Sequence, residues 1–240
     1  MEWPRLLVFD LDGTLIDSSL DLCNSVNAAM LGVGKGPLPN AVIAGYIGDG
    51  AAMLVRRALG DPGDVDAANK DTGDALFHRA FELFLEHYRE HKLDNTRCYE
   101  GVLDSLRSIR ERDPQLPMAV LTNKPVKPSR QICEALGLAP FFFQNYGGNS
   151  FTTKKPDPEG LLTLMREAEE ILKERDAGAR PLSPAEVVMV GDSDVDVLTA
   201  RRVGARAIGC LFGLAPHSLS AVQPDRLVQH PSEWPEALGF

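Results

Sequence analysis

Two kinds of hydrophobic pattern share this chain. Residues 6–9, 118–121, 187–190 and 207–211 are short, continuous apolar runs. Runs of that length without alternation predict strands buried on both faces, as in a parallel sheet covered by helices. Residues 141–143 suggest a fifth, short strand. Between the runs, apolar residues recur at helical spacing over about 102–112, 128–136, 158–173 and 195–203. Strand alternating with helix predicts an α/β class, a doubly wound, Rossmann-like parallel sheet.

One gap breaks the alternation. More than a hundred residues separate the first run from the second, far more than one crossover helix requires. Within it, residues 20–31, 40–46, 51–59 and 75–91 read as helices. The last carries Ala80, Leu83, Phe84 and Tyr88 on one face. The expected organisation is therefore a core from 1–16 and 94–240, with a helical cap over 17–93. An insert at that point follows the C-terminal end of the first strand, where open α/β sheets bind ligands.

Composition narrows the partners. The 240 residues are 44% hydrophobic and carry a formal net charge of −9. A core of ordinary size fits those numbers, and a polyanion such as nucleic acid does not. No apolar run approaches membrane-spanning length, and the opening MEWPRLLVF lacks the basic start of a signal peptide. Cys23, Cys98, Cys133 and Cys210 are widely spaced, without a C-x-x-C pair. That predicts a reducing, cytoplasmic setting and neither a disulfide framework nor a cysteine zinc site. The pattern leaves oligomeric state open.

Polar residues cluster where the apolar runs stop. LLVFDLDGT places Asp10 and Asp12 two residues apart at the end of the first run. In extended chain such residues share a side. The pair reads either as a solvated turn or as a nucleophile with a proton-transfer partner. VVMVGDSDVD places Asp192, Asp194 and Asp196 after the third run. A calcium loop of the EF-hand type is excluded, because Val197 and Val203 occupy the positions of its turn glycine and closing glutamate. Helix-dipole complementation remains open for Asp194. MAVLTNKP ends the second run in Thr122 and Asn123, turn formers that can also bind phosphate oxygens. TTKKPDPEG fixes Lys155 before Pro156 in a loop, either as a surface lysine or aimed at an anion.

In order, DxDGT, TN, KP and GDSxxD resemble the haloacid dehalogenase superfamily in its phosphatase branch, over nearly the whole chain. The resemblance implies a phosphoric monoester hydrolase acting on a small phosphorylated substrate. It implies Asp10 as nucleophile, forming an aspartyl-phosphate, and Asp12 as general acid and then base. It also implies Mg²⁺ on Asp10, the Asp12 carbonyl and Asp192, with Thr122, Asn123 and Lys155 on the transferring phosphoryl group and Asp196 orienting that site.

GYIGDGAAMLVRRAL at 45–59 resembles the cap of phosphoglycolate phosphatases. There Gly48 and Gly50 would let backbone N–H groups approach a carboxylate, with Arg56 or Arg57 assisting. The turn reads equally as a helix start capped by Asp49. The implied reaction is hydrolysis of 2-phosphoglycolate to glycolate and phosphate. The alternatives are a sugar-phosphate phosphatase, a β-phosphoglucomutase-like phosphomutase, or a silent binding protein on the same scaffold.

Overall fold

The computed structural model describes residues 3–61 and 75–239. In chain order the elements are β1 (Leu6–Phe9), β2 (Ile16–Asp17), α1 (Ser19–Gly32), α2 (Asn40–Ala44), α3 (Ala51–Ala58) and α4 (Ala75–His91). Then come β3 (Arg97–Cys98), α5 (Val102–Arg112), β4 (Met118–Leu121), α6 (Val126–Ala135), β5 (Gln144–Tyr146) and α7 (Glu159–Arg175). The chain ends with β6 (Val187–Gly191), α8 (Asp194–Val203), β7 (Arg206–Cys210), α9 (Leu219–Val222), β8 (Arg226–Val228) and α10 (Trp234–Leu238). Two compact units emerge, Met1–Ile16 with Cys98–Phe240, and Asp17–Arg97.

The first unit is built on a six-stranded sheet in the order β5-β4-β1-β6-β7-β8, and every pairing is parallel. Successive side chains on a strand point to opposite faces, so each central strand serves two cores. Leu6 and Val8 join Ala119, Leu121, Val187 and Met189 beneath Leu161, Leu164 and Ala168 of α7 and Val197 and Ala200 of α8. Phe9 faces the other way, against Trp234 at a ring-centroid distance of 5.3 Å. That double burial is why these strands read as unbroken apolar runs.

One expectation needs correction here. The fifth strand is Gln144–Tyr146 rather than 141–143, which lies against a short 3₁₀ turn at Ala139–Phe141. Near the C-terminus Arg226–Val228 adds an edge strand and Trp234 is wholly buried. Edge strands bury less of their side chains, so QNY and RLV give little hydrophobic signal.

Order in this sheet reverses at β1, which has β4 on one side and β6 on the other. The chain crosses over in opposite directions from there, leaving a crevice at the C-terminal ends of these three strands.

The second unit is helical. Its core gathers Leu22, Val26 and Met30 of α1, Ile43 of α2, Leu54 and Val55 of α3, and Phe77, Phe84 and Tyr88 of α4. Residues 62–74 of the expected cap lie outside the described residues. The unit ends four residues later than the expected boundary after residue 93. The buried Asp21 carboxylate explains the difference: it accepts hydrogen bonds from the backbone N–H groups of Asn95 and Thr96 and from both their side chains, at 2.8–3.0 Å. These bonds outweigh the cost of burial and lower the Asp21 pKa.

Candidate active site

Three strand ends carry the chemistry-bearing residues. Asp10 follows β1, Thr122 follows β4 and Asp192 follows β6. Parallel pairing of β1 with both neighbours sets the three ends side by side. Carboxylate oxygens of Asp10, Asp192 and Asp196 lie within 4.8 Å of one another, and all three residues are buried.

One cation enters this acidic cluster. Lys155 Nζ stands 2.8 Å from Asp10 Oδ1 and 2.6 Å from Asp196 Oδ1, with its side chain only 3% exposed. Burial disfavours the ammonium, but the two carboxylates outweigh burial and raise its pKa, so it stays charged. The loop holding it is tied down by Asn123, whose Nδ2 donates to the Lys155 carbonyl at 3.0 Å.

Asp196 is fully engaged. Its Oδ1 receives Lys155, and its Oδ2 accepts from Ser193 N at 3.2 Å and Ser193 Oγ at 2.8 Å. These contacts form a capping box at the start of α8, so local helix chemistry fixes the partner of Lys155.

Asp192 is held differently. Its Oδ2 accepts from the backbone N–H groups of Leu214 and Ala215, at 2.7 and 3.0 Å. Gly13 permits this packing: with φ at +88°, a Cβ there would fall 2.1 Å from Asp192 Oδ2. Burial is the largest influence on both strand-end acids. It pushes Asp192 up to about 8, aided by Asp196 and Asp10, and Asp10 up to about 6 against the pull of Lys155.

Asp12 has its own partner. Lys124 Nζ donates to Asp12 Oδ1 at 2.9 Å and to Oδ2 at 3.1 Å, with the lysine side chain 4% exposed. Backbone geometry turns Lys124 inward: its N–H donates to Thr122 Oγ1 at 3.2 Å and its carbonyl accepts from Gly148 N at 2.9 Å. Lys124 was not singled out by the sequence pattern, nor were the Leu214 and Ala215 amides. The one available hint was the TNKP stretch, where lysine sits three residues past a buried strand. A small hollow lined by Leu121, Thr122, Gly147, Gly148, Phe151 and Lys155 among others opens beside Thr122 and Lys155.

In the helical unit, Gly48 and Gly50 both have positive φ, and Gly50 opens α3. The N-cap of that helix is Gly50, and Asp49 precedes it. The Asp49 carboxylate pairs with Arg57 Nη2, while Arg57 Nη1 donates to the Tyr46 carbonyl at 3.1 Å. Arg57 thus braces the turn. Arg56, expected among the substrate residues, is turned into the unit's interior. It is 4% exposed, with its guanidinium 4.0 Å from the Phe77 ring centroid and Nη1 3.1 Å from Asp61 Oδ2.

A sequence model described as haloacid dehalogenase-like hydrolase matches residues 7–210. The chain belongs to that family. Among its curated relatives within this hydrolase group, a phosphoglycolate phosphatase of Pseudomonas putida is 38% identical over 211 residues, covering 88% of this chain and 70% of the relative. One from Chromobacterium violaceum is 36% identical over 214 residues, covering 89% and 88%. The crystal structure of a predicted phosphoglycolate phosphatase from Haemophilus somnus superposes with a TM-score of 0.82 at 27% identity, covering 99% of each chain. Among the described residues no helix is long and apolar enough to cross a membrane.

Proposed function

We propose that this chain is a Mg²⁺-dependent phosphomonoester hydrolase that works through an aspartyl-phosphate on Asp10, with 2-phosphoglycolate as its substrate. The observation carrying the proposal is the Lys155 bridge between Asp10 and Asp196 at the sheet's switch point. The names of the relatives support the substrate.

The donor set fits a hard divalent cation. Three buried carboxylates converge, Lys155 contacts two of them, and burial raises two of the three acids. An all-oxygen set of this kind suits Mg²⁺. Asp10, the Asp12 backbone carbonyl and Asp192 would hold it, leaving Asp196 to Lys155 and Ser193. Bound there, the ion supplies positive charge that offsets repulsion between Asp10 and a phosphate dianion.

Asp10 attacks phosphorus and the glycolate alkoxide leaves. Asp12 gives that oxygen a proton, then removes one from the water that hydrolyses the phospho-enzyme. Thr122 Oγ1, the Asn123 backbone N–H and Lys155 bind the transferring oxygens. An ammonium has three donors. One is directed at Asp196 Oδ1, and Asp10 Oδ1 is an ion-pair contact at 2.8 Å, which leaves donor capacity for a phosphoryl oxygen. In the helical unit the Gly48–Gly50 turn, braced by Arg57, is the element we assign to the substrate carboxylate. Arg56 serves that unit's packing.

The test is phosphate release from 2-phosphoglycolate, hexose phosphates and p-nitrophenyl phosphate, with and without Mg²⁺. Preference for 2-phosphoglycolate is expected. Preference for a hexose phosphate would move the chain to the sugar-phosphate reading, and no release from any member would leave only a silent scaffold.

A further inference from the structure

The loop that holds Asp192 is itself held by a side chain to which the proposed reaction gives no part. It spans residues 212–218, between β7 and α9. Leu214 and Ala215 donate their backbone N–H groups to Asp192 Oδ2, at 2.7 and 3.0 Å. Both bonds go to the same oxygen. That restrains rotation of the carboxylate and leaves Oδ1 the acceptor capacity a cation would use.

Gly213 sets how closely the loop approaches. A Cβ there would fall 2.3 Å from Asp192 Cβ and 2.4 Å from the Gly13 carbonyl oxygen. Neither neighbour is the free end of a flexible side chain, so a residue without Cβ is required. On the near side of that glycine, aromatic contacts anchor Phe212. Its ring centroid is 5.1 Å from that of Tyr99 and 6.3 Å from that of Trp234.

Ser218 fastens the far side. Its Oγ accepts a hydrogen bond from the Asp194 backbone N–H at 2.9 Å and lies 2.9 Å from the Ala215 carbonyl. An amide N–H only donates and a carbonyl only accepts, so the hydroxyl gives its one proton to Ala215. Asp194 is the first residue of α8, where N–H groups have no partner within the helix. The contacts close a ring. Asp192 leads along the chain to Asp194, Asp194 through Ser218 to Ala215, and Ala215 back to Asp192 Oδ2. Leu219, the next residue, is buried in the core beneath the sheet and keeps Ser218 in place.

We propose that Ser218 is a positioning residue for metal binding: its hydroxyl locks the Leu214 and Ala215 amides onto Asp192, so that the carboxylate is already oriented when the cation arrives. This role rests on the proposed place of Asp192 as a Mg²⁺ ligand. Groups that orient a metal ligand typically matter by about 10–100-fold in affinity. Ser218→Ala removes the clamp and keeps every carboxylate of the cluster.

The experiment is calorimetric titration of Mg²⁺ into the EDTA-treated chain, without substrate. Ser218→Ala should raise the Mg²⁺ dissociation constant about tenfold. Ser218→Thr keeps the hydroxyl and should restore most of the affinity, which a merely structural role at this position would not require. Ser218 is partly exposed, so the alanine variant folds, and its metal-free melting temperature checks this. Unchanged Mg²⁺ affinity in Ser218→Ala, or equal weakening in Ser218→Ala and Ser218→Thr, would overturn the proposal and leave Asp192 as a ligand. No Mg²⁺ binding by the starting protein would overturn the metal assignment itself, and the role of Ser218 with it.

Discussion

Lys124 sets its ammonium against both carboxylate oxygens of Asp12, at 2.9 and 3.1 Å, from a position 112 residues away in sequence. A buried bidentate contact of this kind holds the side chain that the proposed reaction uses for proton transfer. Lys124→Met should therefore lower kcat on 2-phosphoglycolate by about a hundredfold, the scale of a misplaced catalytic group. Its effect on p-nitrophenyl phosphate should be much smaller, because nitrophenolate leaves without a proton. Equal losses on both substrates would show that Lys124 does not act through Asp12.

Acid should weaken the helical unit through Asp21. Its folded pKa lies below the ordinary 3.8 because four groups of Asn95 and Thr96 hydrogen-bond the carboxylate. A depressed acid contributes stability at pH values above its unfolded pKa and loses it as pH falls through the folded one. Asp21→Ala strands those donors and should cost about 3 kcal/mol, read by urea unfolding at pH 7. The cost should shrink below pH 3.8. A cost that stays constant into that acid range would contradict the assignment.

The strand-end acids titrate in the opposite sense. Unfolded Asp192 loses its proton near 3.8, whereas the folded residue keeps it until about 8. The folded chain therefore binds more protons across that window, and metal-free stability from this group falls as pH rises through it. Mg²⁺ binding needs the carboxylates free of protons. Adding Mg²⁺ to EDTA-treated protein should raise the melting temperature more at pH 8 than at pH 5.5. Equal shifts at both would place the ion elsewhere.

Trp234 shows what the tail does for the sheet. It is fully buried, with its ring 5.3 Å from Phe9 and 6.3 Å from Phe212. Trp234→Ala should cost about 3–5 kcal/mol, the usual penalty for emptying a large aromatic site. A chemical-denaturation midpoint close to that of the starting protein would show that the tail is dispensable.

Legibility in the sequence followed burial. The strands at 6–9 and 118–121 stand out because both of their faces are covered. Gln144–Tyr146 and Arg226–Val228 are edge strands, half open to solvent, and their polar residues give no continuous run. The acids and Lys155 were legible because each abuts a buried strand or a proline-fixed loop. Lys124 was not, since a lysine beside a turn reads as solvated until the fold brings Asp12 to it. Arg56 and Arg57 are adjacent in sequence but separated by about 100° around a helix. Only the position of Phe77 decides that the first turns inward, leaving the second to hold Asp49.

The central claim is that Asp10 is the nucleophile. Phosphate release from 2-phosphoglycolate in saturating Mg²⁺ should be measured for the starting protein and for Asp10→Asn, with matched melting temperatures as the folding control. A loss of at least about 10³-fold is expected, the scale seen when an attacking group is removed. Turnover by Asp10→Asn within a few-fold of the starting protein would contradict the account.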